Sequence, residues 1–469
     1  MVQIPALNVV HVSSEVAPYS QTGGLGMVVG ALPLEQRKLG INTSVISPLY
    51  RHIRRNELKK TGCHFQVRLG AHCNQVTVYQ GVSEGLPIYF LDCPAAYDRD
   101  GLYGPRPTVD FHDNAWRFAL LSRAALETCR RLRLHPDIVH SHDWQAGLLP
   151  LWCRTEGNGW IRTVHTIHNL GYQGMFPADT MEELGLDRQI FHPDGVEFWG
   201  WLSFLKSGLV FADQLTTVSP TYAEEICTPR FGNGLDGVIR SRRHETVGIL
   251  NGVDTSAWDP QALVPPIQAG IPSGRQAAEQ RLRDEFGLEP GGQIACVVSR
   301  LVHQKGMDMV PVASSTLLES GALRLVVVGT GDPSIEASFH LLQSSFPTRV
   351  ALRTEYSTSL AQRVIAGSSA ILMPSRYEPC GLTQMIALRY GTLPIVRRTG
   401  GLADTVRDGE TGFIFDDPTT TALHSALARW INATKAYEAM RRRAMTTTYS
   451  WTSTAEQYIR LYNEVHERE

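Results

Sequence analysis

Residues 371–405, ILMPSRYEPCGLTQMIALRYGTLPIVRRTGGLADT, constrain the fold more than any other part of the chain. An apolar run of strand length stops at Pro374, and a turn then carries Glu378, Cys380, Gly381, Leu382 and Thr383. A helical run follows over 384–390 and a second apolar strand over 393–396. The order predicts a strand, a turn, a helix and the next parallel strand. In doubly wound sheets such a turn faces the carboxyl ends of the strands, where ligands bind, and Gly381 lets backbone approach backbone closely. The N–H groups that open the helix have no partner within it and sit at its positive end, so they suit a phosphate. Glu378 is unexpected there, because a carboxylate beside an anion site repels the ligand. It fits if it faces hydroxyls or an electron-poor centre, such as a sugar carried on that phosphate. The alternative is a carboxylate that only complements the helix dipole, worth about 0.3–1 kcal/mol.

The runs EPCGLTQ and YGTLPIVRRTGGLADTV are very similar to the signature of bacterial glycogen synthases and plant starch synthases, retaining glucosyltransferases of GT-B architecture. The resemblance covers nearly the whole chain. Both halves alternate strands and helices, which predicts an α/β protein of two doubly wound, Rossmann-like parallel-sheet domains facing a central cleft. We expect an acceptor-side domain over residues 1–250 and a nucleotide-sugar-donor domain over 251–455. By resemblance, a C-terminal helix over 456–469 crosses back to the first domain.

Length and charge narrow the partners. A chain of 469 residues can hold two or three domains, and a formal net charge of -2 gives no sign of a nucleic-acid or anionic-membrane partner. Eight cysteines lie scattered with no C-x-x-C pair, which indicates neither a disulfide framework nor a zinc site. No apolar run reaches about 18 residues and the N-terminus lacks a signal-peptide pattern, so a soluble, cytoplasmic protein is expected.

Along the chain, an apolar strand over 7–12 leads through SSEVAPYSQTGGLGMVVGALP into a helix, with Gly23 and Gly24 at its start. The pair reads as a second anion cradle or as a simple turn. By resemblance these glycines line the donor diphosphate in a K-T-G-G-L motif, from which this chain departs twice. Gln21 replaces the family lysine and Met27 the family aspartate. A charge-assisted hydrogen bond is worth about 1.5–3 kcal/mol, so an uncompensated loss costs roughly ten- to a hundredfold.

Strands are expected over 43–46, 76–79 and 88–91. The loop after them carries Tyr97, Asp98, Arg99, Tyr103, Asp113, Asn114 and Phe118 and resembles the family's acceptor loop; ordinary loop packing is the alternative. A strand over 137–140 ends at Ser141, His142, Asp143 and Trp144. His140 and His142 share a strand face, but no third ligand lies at a metal-site spacing, so no metal is expected. Gln145 stands where the family has histidine. The strand over 163–168 ends in HTIHNLGYQ, where His168 matches the family histidine that reaches the donor glucose; the bland alternative is a capping or core histidine.

A helix over 204–211, a strand over 215–218 and a helix start at Ser219 follow. The strand over 247–250 reaches NGVDTSAWDP, in which Asn251 matches the position nearest the donor sugar. Polar, proline-rich sequence over 259–276 marks the expected domain boundary. Beyond the strand over 294–298, SRLVHQKG supplies Arg300 and Lys305. Arginine can grip two phosphate oxygens while lysine acts as a mobile point charge; plain surface charge is the alternative. Tyr356 aligns with the family tyrosine of the nucleotide pocket, although Thr358 stands where the family is acidic.

The resemblance implies retaining transfer of a glucosyl or glucose-like group from a nucleoside-diphosphate donor, ADP-glucose for the family, to an acceptor hydroxyl or amine. Arg300, Lys305 and the N–H groups around Gly381–Thr383 stabilise the departing diphosphate, whose oxygen takes the acceptor's proton. Glu378, His168 and Asn251 orient the sugar. No cofactor or metal is required, since the cations substitute for one. Two other readings stay open at this point. One is a pseudo-glycosyltransferase joining a nucleotide-activated cyclitol to an amino sugar, as in acarbose-type aminocyclitol biosynthesis, which Gln21, Met27, Gln145 and Thr358 favour. The other is a catalytically silent carbohydrate-binding protein, against which the retention of His168, Arg300, Lys305 and Glu378 argues.

Overall fold

The computed structural model describes residues 7–106, 109–156, 161–355, 357–433 and 435–468. The chain divides into two compact units. The first comprises Met1–Val218, Ala223–Ile249 and Trp451–Glu469; the second comprises Ser219–Tyr222 and Leu250–Ser450.

Unit 1 is built on strands β1 (Asn8–Val12), β2 (Asn42–Pro48), β3 (Lys59–Leu69), β4 (His72–Ser83), β5 (Leu86–Asp92), β6 (Ile138–His142), β7 (Arg162–Ile167), β8 (Met175–Phe176), β9 (Glu197–Phe198), β10 (Trp201–Ser203), β11 (Gln214–Thr217) and β12 (Thr246–Gly248). Nine of them form one sheet in the order β12-β11-β7-β6-β1-β2-β5-β4-β3, and β8-β10-β9 form a small antiparallel sheet. The large sheet is parallel from β12 to β5 and antiparallel across β5, β4 and β3. The parallel strands are buried along almost their full length, as expected where helices cover both faces.

Unit 2 is wholly parallel. Its strands β13 (Gln293–Val298), β14 (Leu323–Val328), β15 (Val350–Arg353), β16 (Ala370–Met373), β17 (Leu393–Arg397) and β18 (Phe413–Phe415) lie in the order β15-β14-β13-β16-β17-β18. Near-continuous apolar runs such as Leu323–Val328, LRLVVV, are what a strand covered on both faces requires.

The chain passes from unit 1 to unit 2 at Ile249 and Leu250, within a residue of the expected division, and not at the proline-rich stretch expected to mark it. The proline-rich stretch lies inside unit 2, because its second half forms the helix Pro272–Phe286, which packs on the helix Thr358–Gly367. There a buried Arg275 donates to Ala366 O at 2.8 Å and to Thr392 Oγ1 at 3.1 Å. The last helix begins at Trp451 rather than at residue 456. Its face of Trp451, Ala455, Tyr458, Leu461, Tyr462 and Val465 repeats at helical spacing and buries against Leu7, Val9, Val28, Leu32 and Ile138 of unit 1. Among the described residues no helix is long and apolar enough to cross a membrane.

Truncating a buried leucine on that face leaves a cavity as well as losing transfer energy. We expect Leu461→Ala to lower the unfolding free energy of the full chain by about 2–5 kcal/mol in a denaturant titration; a change below about 0.5 kcal/mol, the range of ordinary surface substitutions, would contradict this packing.

Candidate active site

Both sheets reverse direction once. In unit 2 the chain runs outward from β13 to β14 and β15 and then returns to place β16 on the other side of β13. In unit 1 β2 lies on one side of β1 and β6 on the other. At such switch points the loops leaving the two central strands diverge and open a crevice at their carboxyl ends. Arg300 and Lys305 follow β13 and Glu378 follows β16, while Gln21, Gly23 and Gly24 follow β1 and Asp143 follows β6.

In unit 2, Lys305 Nζ donates to Glu378 Oε2 at 2.5 Å, and Ser375 Oγ donates to the same oxygen at 3.0 Å. The two side chains retain only 18% and 6% of their exposure, so the pair is largely desolvated. The loops that carry them are strapped together by Arg376 N to Gln304 O at 2.8 Å and by a bidentate Arg376–Asp308 ion pair at 2.6 and 2.8 Å. Arg300, by contrast, is exposed, and among the described residues its guanidinium makes no hydrogen bond or ion pair.

The turn after Glu378 is fixed from beneath. Gly381 has φ +71°, a left-handed conformation suited to glycine, and Gln384 Nε2 donates to Cys380 O and Gly381 O at 3.0 Å and to Thr405 Oγ1 at 3.1 Å. The helix Thr383–Tyr390 opens at Leu382 with no side-chain cap, and Gly381, Leu382 and Thr383 are half-exposed. Its first N–H groups therefore lie uncapped at the positive helix end. The Cys380 thiol is buried and pushed up to about 12 by desolvation, so it stays protonated, with Asn251 lying against its sulfur. Asn251 Oδ1 is itself buried and has no hydrogen-bond partner among the described residues. Such an acceptor costs about 1–3 kcal/mol when left unmatched.

Three contributors to this turn carried no assigned role in the sequence reading. Ser219 Oγ donates to Pro379 O at 2.6 Å, and Asp404 accepts from Thr221 N and Oγ1 at 2.9 and 2.6 Å, which ties Ser219–Tyr222 to unit 2. Gly401 donates its N–H to Glu378 O at 3.1 Å, and a Cβ there would meet Cys380 O at 2.0 Å.

In unit 1 the loop after β1 turns on Glu15, a buried carboxylate that accepts from Thr22 N and Thr22 Oγ1 at 2.6 Å and from Tyr103 OH at 2.5 Å. Gln21, Gly23 and Gly24 are exposed beyond it and Met27 is half-buried on the helix Gly24–Lys38. A Cβ on Gly23 or Gly24 would meet nothing within 4 Å, and neither has a positive φ, so nothing within the protein demands glycine there. Close approach by a ligand does supply a reason.

Asp143 does structural work at the end of β6: its Oδ1 accepts from His168 N at 2.7 Å and Asn169 N at 3.3 Å. Gln145 is buried and its Oε1 lacks a partner among the described residues. Tyr97 departs from its expected acceptor-side role. Its ring is fully buried and its hydroxyl is donated to Arg117 O at 2.8 Å, leaving no face for a substrate. Tyr356 lies outside the described residues.

The histidines are more connected than their spacing indicates. His11 of β1 joins His140 and His142 of β6, and one nitrogen from each lies within 4.8 Å of the others. The third histidine that sequence spacing could not supply thus comes from the neighbouring strand. The ring nitrogens are nevertheless engaged: His11 with His142 (3.1 Å) and Gln36 (2.9 Å), His140 with Tyr462 (2.7 Å) and Thr166 (2.5 Å), and His142 with His168 (3.0 Å). A cation would have to displace these bonds, so the set fits a hydrogen-bond network better than a metal.

With that geometry, each unit is a Rossmann-like parallel sheet bearing its functional groups at the switch point, the two-unit arrangement of GT-B glycosyltransferases. Residues 8–241 match the family described as starch synthase catalytic domain, and residues 278–447 match glycosyl transferases group 1. A glycogen synthase of Myxococcus xanthus is 44% identical over 98% of this chain and 99% of its own length. One of Syntrophotalea carbinolica is 41% identical over 98% and 99%. The catalytic domain of starch synthase IV from Arabidopsis thaliana, solved bound to ADP and acarbose, superposes with a TM-score of 0.89 at 32% identity over 99% of this chain and 100% of that one. The chain belongs to the glycogen and starch synthase family of glycosyltransferases.

Two outcomes follow. Burial holds His11 down to about 4 and His168 and His165, the latter on β7 against Ser141, to about 3, and holds His140 and His142 well below their ordinary 6.5, with neighbouring histidines adding to the effect on these last two. The unfolded chain binds protons near 6.5 that the folded chain refuses, so these groups remove stability as pH falls through that value. Asp143 acts oppositely: desolvation pushes it up to about 7, so it removes stability as pH rises from 3.8. Five groups against one decide the sign, and the melting temperature should fall as pH is lowered from 7 to 5; a flat or rising profile would contradict the neutral network. Separately, Gly401→Ala should displace the Glu378–Cys380 turn and lower turnover at least tenfold while the melting temperature shows the chain still folded; unaltered turnover would mean the turn tolerates the shift.

Proposed function

We propose that this protein extends an α-1,4-glucan by retaining transfer of glucose from ADP-glucose. The observation that carries the reading is Lys305, held with Glu378 in a dry site at the switch point of unit 2 beside the uncapped start of the helix Thr383–Tyr390. Lys305, the unengaged Arg300 and those N–H groups form a preorganised cationic environment for a departing diphosphate. The glycogen synthases that match this chain end to end, and the starch synthase solved with ADP, support the choice of donor and acceptor.

In this reading the bond from the anomeric carbon to the diphosphate oxygen breaks as the acceptor hydroxyl forms its bond on the same face, and the leaving oxygen takes the hydroxyl proton. Arg300 and Lys305 meet the charge on that oxygen. Glu378 faces the positive charge growing on the sugar, and Asn251 offers its unmatched Oδ1 to a sugar hydroxyl. In unit 1, His168 offers a ring nitrogen to a sugar hydroxyl. Also in unit 1, Gly23 and Gly24 leave backbone that a phosphate can approach closely, with Gln21 and Met27 shaping specificity, and Gln145 carries an unmatched carbonyl on the acceptor side. The scheme calls for no cofactor or metal, because the fixed cations supply the charge. All eight cysteines are free thiols, which suits a cytoplasmic setting.

Lys305→Ala should lower glucan chain growth from ADP-glucose at least tenfold, read by mass spectrometry of the product. ADP-glucose should raise the melting temperature of the unaltered protein through linkage. Unchanged rates would remove Lys305 from the site, and an absence of any chain growth by the unaltered protein would overturn the donor and acceptor assignment.

A further inference from the structure

We propose that Gln36, His11 and His142 are positioning residues whose hydrogen-bonded chain fixes His168 as the Nε2–H tautomer, leaving its Nδ1 to accept a hydrogen bond from a ligand hydroxyl. The chain lies wholly within unit 1 and runs from the helix Gly24–Lys38 across the carboxyl ends of β1, β6 and β7.

The proton order follows from its first member. Gln36 presents Oε1 to His11 Nε2 at 2.9 Å while its Nε2 donates to Tyr462 OH at 3.1 Å. An amide oxygen only accepts, so His11 carries its proton on Nε2. A neutral imidazole has one N–H, and full burial keeps His11 neutral, so His11 Nδ1 is bare and accepts from His142 Nε2–H across 3.1 Å. The step then repeats: His142 Nδ1 is bare and accepts from His168 Nε2–H across 3.0 Å. His168 is left with an unprotonated Nδ1, which makes no hydrogen bond among the described residues, on a residue that is itself only partly buried.

Turning the Gln36 amide over would reverse every proton and make His168 Nδ1 a donor instead. The amide's orientation therefore sets the chemistry of a residue two histidines away. Tyr462, on the helix Trp451–His466, matches that orientation: its oxygen takes the amide N–H at 3.1 Å, and its own proton is then directed to His140 Nδ1, 2.7 Å away. His140 Nε2 then donates to Thr166 Oγ1 at 2.5 Å, which completes a consistent set of donors. Ring stacking keeps the members in place, with centroids 4.2 Å apart for His140 and His142 and 5.4 Å for His11 and His142.

Only the last link, from His168 to the donor sugar, rests on the function proposed above, so the test reads the two separately. The full chain, ligand-free and labelled with 15N-histidine, is studied by two-bond 1H–15N correlation, which distinguishes bare from protonated ring nitrogens; His168→Asn identifies the His168 signals. The expected result is Nε2–H for His168 in the unaltered protein and in Gln36→Glu, which keeps an acceptor oxygen toward His11. Gln36→Met and His142→Phe should give a mixture of tautomers and lower kcat about tenfold, the equivalent of one hydrogen bond, with KM for the glucan little changed. An Nδ1–H tautomer in the unaltered protein, or Nε2–H retained in both Gln36→Met and His142→Phe, would overturn the chain. The expected spectra with unaltered kcat would uphold the chain and remove His168 from turnover.

Discussion

The Lys305–Glu378 ion pair is the interaction on which the rest of the site depends. An ammonium and a carboxylate taken almost fully out of water cost several kcal/mol each unless they meet, and removing one partner of such a pair typically costs about 3–5 kcal/mol. Here they meet at 2.5 Å because β13 and β16 are neighbours in a parallel sheet and both loops leave at the same edge. Ser375, the Arg376–Asp308 strap and the N–H of Gly401 then fix the loops themselves. A lysine so placed is a cation held in position before any ligand arrives. That arrangement also accounts for a carboxylate beside an anion site, since Glu378 balances the charge of Lys305.

Unit 1 solves a different problem with the same topology. Its switch point is lined with histidines rather than with an ion pair, and their burial makes them neutral hydrogen-bonding groups instead of cations. A neutral network has direction: each ring must donate on one side and accept on the other, so fixing one end fixes all. The carboxylate of Glu15 plays the corresponding part on the next loop, gathering Thr22 and Tyr103 so that Gly23 and Gly24 present bare backbone. The final helix contributes to this unit through Tyr462, which makes its docking a matter of side-chain chemistry as well as of core packing.

Much of this was legible in the residues. The strand, turn, helix and strand of 371–405 stand where the apolar runs and Gly381 place them, and the helix Phe204–Phe211 matches its expected bounds. Strand-end positions for His168, Asn251, Arg300, Lys305 and Glu378 also follow from the pattern, because functional groups of doubly wound sheets sit after strands. What sequence could not show is which loops become neighbours. The Lys305–Glu378 pair spans 73 positions and the His11–His142 bond spans 131, so neither has a spacing to read. Strand β3 escaped notice because Gly62 and a register shift between Lys60 and His64 interrupt its alternation. Tyr97 carried a plausible aromatic signal, yet burial beneath the loop rather than exposure upon it decided its role. The proline-rich stretch over 259–276 did not mark the boundary, which falls at Ile249 and Leu250, because proline and polar residues mark a surface turn as readily as a linker.

On the proposed function, the cations of unit 2 receive a diphosphate. The most direct measurement is a crystal structure of the full chain with ADP. Phosphate oxygens are expected within about 3 Å of Lys305 Nζ and of the Arg300 guanidinium, with the N–H groups at the start of the helix Thr383–Tyr390 directed at the same anion. Ordered ADP whose phosphates lie away from both cations would contradict it.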